Sequence, residues 1–303
     1  MTQRLQWERD GTSWPHRANS HFIHAAGLRW HVQVFDSQPA LPAAVLIHGT
    51  GASTHSWRSL IPLLTPHFKV LSLDLPGHAF TEMPPGGAGS HQLSMPGMAK
   101  AIGELLAAVA VHPTLLVGHS AGAAIAVRMA LDGWVTLKHI VSINGALQPL
   151  GGLAGQVFSP VAKLMSALPF VPSLFSWQAS HPSVLQKLID STGSKIDAEG
   201  MALYGQLVRN PGHAAGALGM MVNWDLPQLA MDLFRLATPL SLIVGSQDHT
   251  VSPRQADRLI AQWSASSASV QPKLITLPGL GHLAHEERPE LIAEHILSRF
   301  KSA

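Results

Sequence analysis

The most informative stretch of this sequence is Val117-Gly118-His119-Ser120-Ala121-Gly122. An apolar run over residues 114–117 predicts a buried strand leading into it, and residues 123–131 are rich in helix-forming side chains. A Gly-x-Ser-x-Gly turn between a strand and a helix is a nucleophile elbow, in which two glycines let the backbone bend sharply and present the serine hydroxyl. The pattern predicts that Ser120 is a nucleophile.

Strand and helix patterns alternate on both sides of this turn. Buried or edge strands are predicted at residues 22–25, 28–35, 43–47, 69–73, 138–143, 240–245 and 273–277. Helices are predicted between them, at 55–64, 98–111, 253–263 and 289–300, with a surface loop at 82–97. This alternation predicts an α/β fold with one eight-stranded, mostly parallel sheet flanked by helices, its second strand antiparallel.

The alternation stops between residues 148 and 236. No buried strand is predicted there, and proline-punctuated helical segments occur at 160–168, 182–191, 198–208, 214–224 and 226–234. We therefore expect residues 1–147 and 237–303 to form the two parts of one core, and residues 148–236 to form a helical cap inserted after the sixth strand.

A serine nucleophile needs a base and an acid, and both follow predicted strands. Asp248 comes shortly after the strand ending at Gly245, and His282 comes shortly after the strand ending at Leu277. The chain order Ser, Asp, His, each beyond the carboxyl end of a strand, is the α/β-hydrolase order. We predict that His282 is the base that takes the Ser120 proton and that Asp248 orients it.

Other histidines and aspartates compete for these roles. His285 is the alternative base, but it falls near the start of the last helix, whereas glycines precede His282. Asp74 also follows a strand, yet it precedes the elbow and is expected to brace its own loop. Three further aspartates are expected at helix starts or on solvated faces: Asp225, Asp232 and Asp257.

The oxyanion of acyl transfer needs two N–H donors. The residue after the nucleophile supplies one at Ala121, and the glycine-rich loop after the third strand supplies the other at Thr50 or Gly51. His119 and Asn144 are candidates for contact with the substrate, with packing and capping as their alternative roles. Gly51 and two cap residues, Met221 and Trp224, complete the predicted substrate-binding set.

Composition excludes several function classes. The chain has 303 residues, 20 basic and 18 acidic, and no cysteine. Nucleic-acid binding is disfavoured because the charges are nearly balanced and form no basic run. Disulfides and thiolate metal sites are excluded, and neither a metal site nor a cofactor is expected. Neither a signal peptide nor a run of about 18 apolar residues is apparent, so we expect a cytoplasmic protein without a membrane span.

These motifs resemble the α/β-hydrolase superfamily from residue 22 to residue 300. Ala79 is a departure, because many members have a glycine there, and it affects a supporting loop. The motifs that carry the resemblance are His48-Gly49-Thr50-Gly51, Asp74-Leu75-Pro76-Gly77-His78, Gly118-His119-Ser120-Ala121-Gly122, Asp248 and Gly281-His282. The resemblance implies a hydrolase, and it implies no cofactor.

More specific phrases resemble the magnesium-chelatase accessory proteins of bacteriochlorophyll biosynthesis. They are Trp7-Glu8-Arg9-Asp10-Gly11, Trp14-Pro15, the run 27–33, the run 49–58, and in the cap the run 211–221 with Asn223-Trp224-Asp225. This resemblance implies a role near magnesium insertion into protoporphyrin in a photosynthetic bacterium, with a tetrapyrrole as the small molecule and chelatase subunits as partners. It does not supply a reaction.

Three functions are consistent with these features. The first is a serine esterase, the second is a porphyrin-binding or chelatase-associated accessory protein that does not hydrolyse, and the third is a hydrolase of ring-cleavage products. Apolar cap residues could roof a large flat ligand, or form the core of the cap itself, and His213 could approach such a ligand. Besides Met221 and Trp224, they are Phe158, Met165, Phe170, Phe175, Trp177, Met201, Tyr204 and Met220.

Overall fold

Eight strands form a single sheet in the computed structural model, which describes residues 4–36, 38, 40–149, 171–179 and 181–300. Their order in the sheet is β1-β2-β4-β3-β5-β6-β7-β8, with β2 antiparallel to β1 and β4 and the other pairs parallel. The predicted fold class is confirmed. The strands are β1 Ser20–Ala25, β2 Leu28–Phe35, β3 Ala43–Ile47, β4 Lys69–Leu73, β5 Pro113–His119, β6 His139–Ile143, β7 Leu240–Gly245 and β8 Lys273–Leu277.

Helices cover both faces of this sheet. Short 3₁₀ turns occur at Arg17–Asn19, Thr54–Trp57, Gly87–Gly89, His91–Leu93 and Leu233–Arg235. In the described part of the chain the α-helices are α1 Trp7–Asp10, α2 Ile61–Leu64, α3 Met95–Ala108, α4 Ala121–Leu131, α5 Val171–Ala179, α6 Pro182–Asp190, α7 Ala198–Val208, α8 Pro211–Val222, α9 Leu226–Asp232, α10 Pro253–Ser264, α11 Ala284–Glu287 and α12 Pro289–Leu297.

Strand β3 shows why the sheet lies in the centre. Val45 and Ile47 belong to the apolar cluster on one face, and Ala44 and Leu46 belong to the cluster on the other face. Successive side chains of a strand point to opposite faces, so a continuous apolar run is buried on both sides. The site motifs follow these strands in the chain, so they lie in the loops at the carboxyl ends of the strands.

The helix predicted at 55–64 and the loop predicted at 82–97 differ in the structure. The single helix predicted at 55–64 is divided into the 3₁₀ turn Thr54–Trp57 and the short helix α2, with Pro62 in its first turn. The loop predicted at 82–97 is wrong at its end, because α3 begins at Met95. Ser94 caps that helix by accepting a hydrogen bond from the Gly97 N–H, and proline in the first turn needs no acceptor.

In the described residues between β6 and β7 the secondary-structure elements are helices, from α5 to α9, followed by the 3₁₀ turn Leu233–Arg235. The helix predicted at 160–168 lies outside the described residues. Helix α8 begins at Pro211 instead of at residue 214, because the Asn210 side chain accepts from the His213 N–H and caps it. This places His213 in the first turn of a helix.

Candidate active site

The elbow after β5 bends at Ser120 itself. Ser120 has φ 52° and ψ −117°, a conformation that is strained for any residue with a side chain. The flanking glycines are expected from the sequence to make the sharp bend of the backbone, but neither Gly118 nor Gly122 has a positive φ, so they have another role. A Cβ on Gly122 would overlap the Ile47 carbonyl oxygen of β3. Glycine therefore allows the helix to start directly against the neighbouring strand.

Two hydrogen bonds from the chain after β6 hold the strained serine. The Ser120 N–H donates to the Ile143 carbonyl at 3.0 Å, and the Ser120 carbonyl accepts from the Ala146 N–H at 3.1 Å. The strain is thus supported by the surrounding backbone, as is usual where a reactive side chain is held in one position.

The Asp248 carboxylate has four donors. Its Oδ1 accepts from the N–H groups of Thr250 and Val251, both at 2.8 Å. Its Oδ2 accepts from Asn144 Nδ2 at 2.7 Å and from His282 Nδ1 at 2.8 Å. Asp248 is only 3% exposed, and the four donors satisfy both oxygens of this buried carboxylate.

The bond to Asp248 defines the tautomer of His282. Because Nδ1 donates to the carboxylate, Nε2 is the ring nitrogen without a proton in the neutral histidine. Among the described residues, neither His282 Nε2 nor Ser120 Oγ has a hydrogen-bond partner. Hydrogen bonds of this kind are often long in proteins without substrate.

His119 joins the elbow to the loop that carries His282, which is called the base loop below. Its Nε2 donates to the His282 carbonyl at 2.9 Å, and the two rings lie 4.8 Å apart between centroids. His119 immediately precedes Ser120, so this contact holds the loop that carries His282 against the elbow. Burial lowers the pKa of His119 well below its usual value, and the ring is neutral.

The loop after β3 lies against the same elbow. A Cβ on Gly49 would lie 3.0 Å from the Ser120 Cβ, which is tighter than an ordinary contact, so glycine permits this approach without displacing the elbow. Gly49, Thr50 and Gly51 form a turn closed by the Ala52 N–H donating to the Gly49 carbonyl at 3.2 Å. Ala121 is the first residue of α4, and its N–H has no acceptor within that helix.

The competing residues have other contacts. His285 lies in α11, fully buried, with its ring centroid 4.3 Å from that of His119 and 4.6 Å from that of Trp57. Asp74 accepts from His31 Nδ1 at 2.7 Å and from the Thr54 N–H at 2.8 Å, so it braces the loops as expected. Burial acts to raise the pKa of Asp74, but His31 outweighs it and lowers that pKa to about 2.

The remaining aspartates are outside the site. Asp225 caps α9 by accepting from the Gln228 N–H, Asp232 pairs with Arg128 at 2.8 Å, and Asp257 is exposed on α10. These placements agree with the helix-start and surface positions expected for them.

Most of the residues predicted to contact the substrate also have contacts within the protein. Asn144 Nδ2 donates to Asp248, and His119 Nε2 donates to the His282 carbonyl. Trp224 is 6% exposed and belongs to the main apolar core. Met221 is partly buried on α8, and the Gly51 carbonyl is bonded to the His213 ring. Binding of substrate by these five residues stays a prediction.

Part of the apolar roof can be located. Tyr204 and Met201 pack in a cluster that joins α6 and α7 to Ala52 and Leu283 of the core, whereas Trp177 on α5 is 72% exposed. Cap packing therefore accounts for Tyr204 and Met201. Phe158, Met165, Phe170 and the side chain of Phe175 lie outside the described residues.

A contact that sequence patterns did not predict joins the loop that carries Asp248, called the acid loop below, to the base loop. The Thr192 carbonyl accepts from the His249 N–H and from the His282 N–H, both at 3.2 Å. The Ser194 hydroxyl accepts from the Leu283 N–H at 2.8 Å. The segment 192–194 therefore holds the residues beside Asp248 and His282 in one arrangement.

A buried ion pair joins the cap to the helix after His282. Arg58 Nη1 donates to Glu286 at 2.6 Å, and Arg58 Nη2 donates to Asp197 at the start of α7, also at 2.6 Å. The Tyr204 hydroxyl of α7 donates to Glu286 at 2.8 Å. The Glu286 side chain is fully buried, and this burial raises its pKa to about 7 although Arg58 and Tyr204 oppose the change.

This pKa predicts a pH dependence of stability. Because the folded-state pKa is above the ordinary 4.5, the folded protein holds a proton that the unfolded chain has released. The stability from this group is present below the unfolded pKa and is lost as the pH rises through about 7. The free energy of unfolding of the wild type, relative to Glu286→Gln, should fall between about pH 5 and about pH 8, by at most about 1.4 kcal/mol per pH unit.

Urea unfolding of both proteins across this range measures the difference. The Gln variant keeps the shape of the side chain and removes its titration, so all other ionisable groups cancel in the comparison. A difference that stays constant with pH would contradict the assignment to Glu286.

Comparison with known proteins identifies the family. A family model described as "Alpha/beta hydrolase family" matches residues 44–295. The chain belongs to the alpha/beta hydrolase family. Within that family it is similar to the "Magnesium-chelatase 30 kDa subunit" of Rhodobacter capsulatus, at 36% identity over 288 residues, which cover 94% of this chain and 95% of the relative. Both predicted resemblances are confirmed.

Three further proteins are similar to this alpha/beta hydrolase at lower sequence identity. A "Pimeloyl-[acyl-carrier protein] methyl ester esterase" of Pectobacterium atrosepticum is 23% identical over 265 residues, 84% of this chain and 92% of the relative. An alpha/beta hydrolase fold protein from Burkholderia ambifaria superposes with a TM-score of 0.73 at 19% identity, covering 99% of this chain and 100% of its own. A putative lipase from Acinetobacter baumannii gives 0.75 at 17% identity, covering 99% and 97%. At these identities the solved structures show the fold alone.

Two features are absent from the described part of the chain. None of their helices has the length and apolar character needed to cross a membrane. In the same residues, no three or more histidine, aspartate or glutamate side chains are grouped so that they could hold a metal ion.

Proposed function

We propose that this alpha/beta hydrolase is a serine esterase with Ser120 as nucleophile, His282 as base and Asp248 as the acid that orients the base. The observation that carries the proposal is the buried Asp248–His282 bond of 2.8 Å beside the strained Ser120. Acyl transfer by a serine needs three parts: a nucleophile, a base and a group that orients the base. Here they are a serine held in one position, a histidine whose Nε2 carries no proton when the ring is neutral, and a carboxylate that accepts four hydrogen bonds.

The reaction proceeds in two steps. Ser120 Oγ attacks the ester carbonyl carbon while its proton passes to His282 Nε2, and the charged ring is stabilised by Asp248. The bond to the alcohol then breaks, and His282 gives its proton to the leaving oxygen. A water molecule, deprotonated by His282, releases the acid and restores Ser120.

The negative charge that develops on the carbonyl oxygen needs donors. The N–H of Ala121 at the start of α4 and the N–H of Thr50 in the glycine-rich turn are the proposed pair. The close approach of this turn to the elbow at Gly49 supports the pairing of these two donors on one oxygen. The cap, proposed as residues 148–236, covers the site, and Met221 is a proposed substrate contact.

Hydrolysis of a series of p-nitrophenyl esters of increasing acyl length tests the proposal. The wild type is expected to turn over at least one of them, and Ser120→Ala is expected to fall to the background rate because it has no nucleophile. Ser191→Ala, at an exposed serine of the cap, is the matched control and should keep the wild-type rate. A Ser120→Ala protein as active as the control would contradict the proposal.

A second function is favoured by the 36% identity to the magnesium-chelatase subunit over nearly the whole chain. In this proposal the protein accompanies a magnesium chelatase in the cytoplasm of a photosynthetic bacterium and binds a tetrapyrrole, with or without hydrolysis. Absorbance titration of protoporphyrin and co-purification with chelatase subunits test it. Saturable binding with a shift of the porphyrin band supports it, and failure of both experiments would overturn it.

A further inference from the structure

We propose that His213, on cap helix α8, is a positioning residue for Thr50, the oxyanion donor of the proposed esterase. The inference rests on that proposed function and concerns how the donor is oriented. His213 is 2% exposed and lies between α8 and the loops after β3 and β4.

The contacts of His213 define its tautomer. The Ala79 N–H donates to His213 Nδ1 at 3.0 Å, so the proton of the neutral ring is on Nε2. That Nε2–H donates to the Gly51 carbonyl at 3.1 Å. Burial lowers the pKa of His213 to about 4, which keeps the ring neutral and both bonds in place at neutral pH.

A chain of peptide groups leads from this bond to Thr50. The Gly51 carbonyl belongs to the peptide whose N–H is that of Ala52, and the two groups point in opposite directions in a trans peptide. The Ala52 N–H donates to the Gly49 carbonyl at 3.2 Å. The Gly49 carbonyl in turn shares a peptide with the Thr50 N–H. Fixing the Gly51 carbonyl therefore orients the Thr50 N–H two peptides away.

Other contacts support both ends of this chain. His48 Nδ1 also donates to the Gly49 carbonyl, at 2.7 Å. Gly51 has φ 75°, the left-handed conformation that the third residue of a type II turn adopts. Hydrogen bonds in series polarise one another, so the donor at Thr50 is strengthened as well as directed.

Helix α8 is fixed closely enough to act as a support. A Cβ on Gly216 would overlap the Gly77 carbonyl oxygen, so the two backbones are in direct contact. One turn further on, the Thr50 hydroxyl donates to Met220 Sδ at 3.4 Å. Residues 213, 216 and 220 lie on one face of the helix, and this face supports the turn of residues 49–52 that carries the Thr50 N–H.

His213→Phe tests the inference, because phenylalanine keeps the ring and removes both hydrogen bonds. We expect kcat for ester hydrolysis to fall by about 10- to 100-fold and the inhibition constant of an alkyl boronic acid, whose adduct places an oxygen at the donors, to rise by a similar factor. KM should stay within about threefold, since the ground-state ester makes little use of the donors.

His139→Phe is the matched control. His139 is a partly buried histidine at the start of β6, bonded to Ser241 Oγ at 2.9 Å and remote from the loop. The control should leave kcat and boronate affinity unchanged. A purely structural role for His213 would lower the thermal unfolding temperature of His213→Phe and leave the boronate affinity of the folded protein as it was, which would overturn the inference.

Amide hydrogen exchange of residues 49–52 gives a readout without turnover. His213→Phe should speed exchange there by about tenfold, and His139→Phe should not. Unchanged exchange overturns the inference. If the wild type hydrolyses no ester and binds no boronate, the proposed function fails, and the inference then fails as an account of catalysis even if exchange is faster.

Discussion

Asp248→Asn is expected to lower kcat for ester hydrolysis by about 10⁴-fold, with little change in KM. Asparagine has one carbonyl oxygen in place of two carboxylate oxygens. If that oxygen accepts from the N–H groups of Thr250 and Val251, its NH₂ group faces His282 Nδ1, which must then give up its proton. The proton moves to Nε2, and the ring can no longer accept from Ser120.

Initial rates with a p-nitrophenyl ester over a range of concentrations measure this effect. Asp225→Asn, at the exposed aspartate that caps α9, is the control and should retain the wild-type kcat. Urea unfolding shows whether the fold is kept. A decrease in kcat of less than about tenfold in folded Asp248→Asn would mean that Asp248 does not define the tautomer of the base.

Gly193→Ala is expected to reduce kcat by about 100-fold and to lower the free energy of unfolding by a few kcal/mol. Gly193 has φ 79°, and a Cβ there would overlap the carbonyl oxygen of Gln247, the residue before Asp248. The base loop has no room to retreat, because Gly281 is itself in close contact with Gly193. The methyl group must therefore displace the acid loop or the base loop.

Gly133→Ala separates this effect from backbone strain. Gly133 has φ 74°, nearly the same as Gly193, but a Cβ there would meet no atom within 4 Å. Both variants lose stability from the left-handed conformation, by about 1 kcal/mol. Equal kcat values in the two variants would show that segment 192–194 does not control the acid and base loops.

The sheet and the chemistry-bearing loops could be predicted because their signals are local. Strands β3, β4, β7 and β8 have the predicted bounds, since each is a short apolar run with clear turn residues after it. Asp248 and His282 could be assigned from their place after strand ends. Those signals require only the residues within a few positions along the chain.

The cap contacts could not be predicted in the same way. His213 and Gly51 are 162 residues apart, and Arg58 and Glu286 are 228 apart, so nothing local indicates that they meet. The sequence pattern also predicts that the glycines beside Ser120 make the bend, whereas the bend lies at Ser120 itself. Their actual function depends on how closely α4 approaches β3, which is a property of the packed protein.

Reaction with a fluorophosphonate probe, followed by peptide mass spectrometry, tests the central claim most directly because it needs no knowledge of the natural substrate. The account predicts one adduct per folded chain, located on the peptide containing Ser120, and none in Ser120→Ala or in unfolded protein. A folded wild-type protein that takes no label, or a label on another residue that persists in Ser120→Ala, would contradict it.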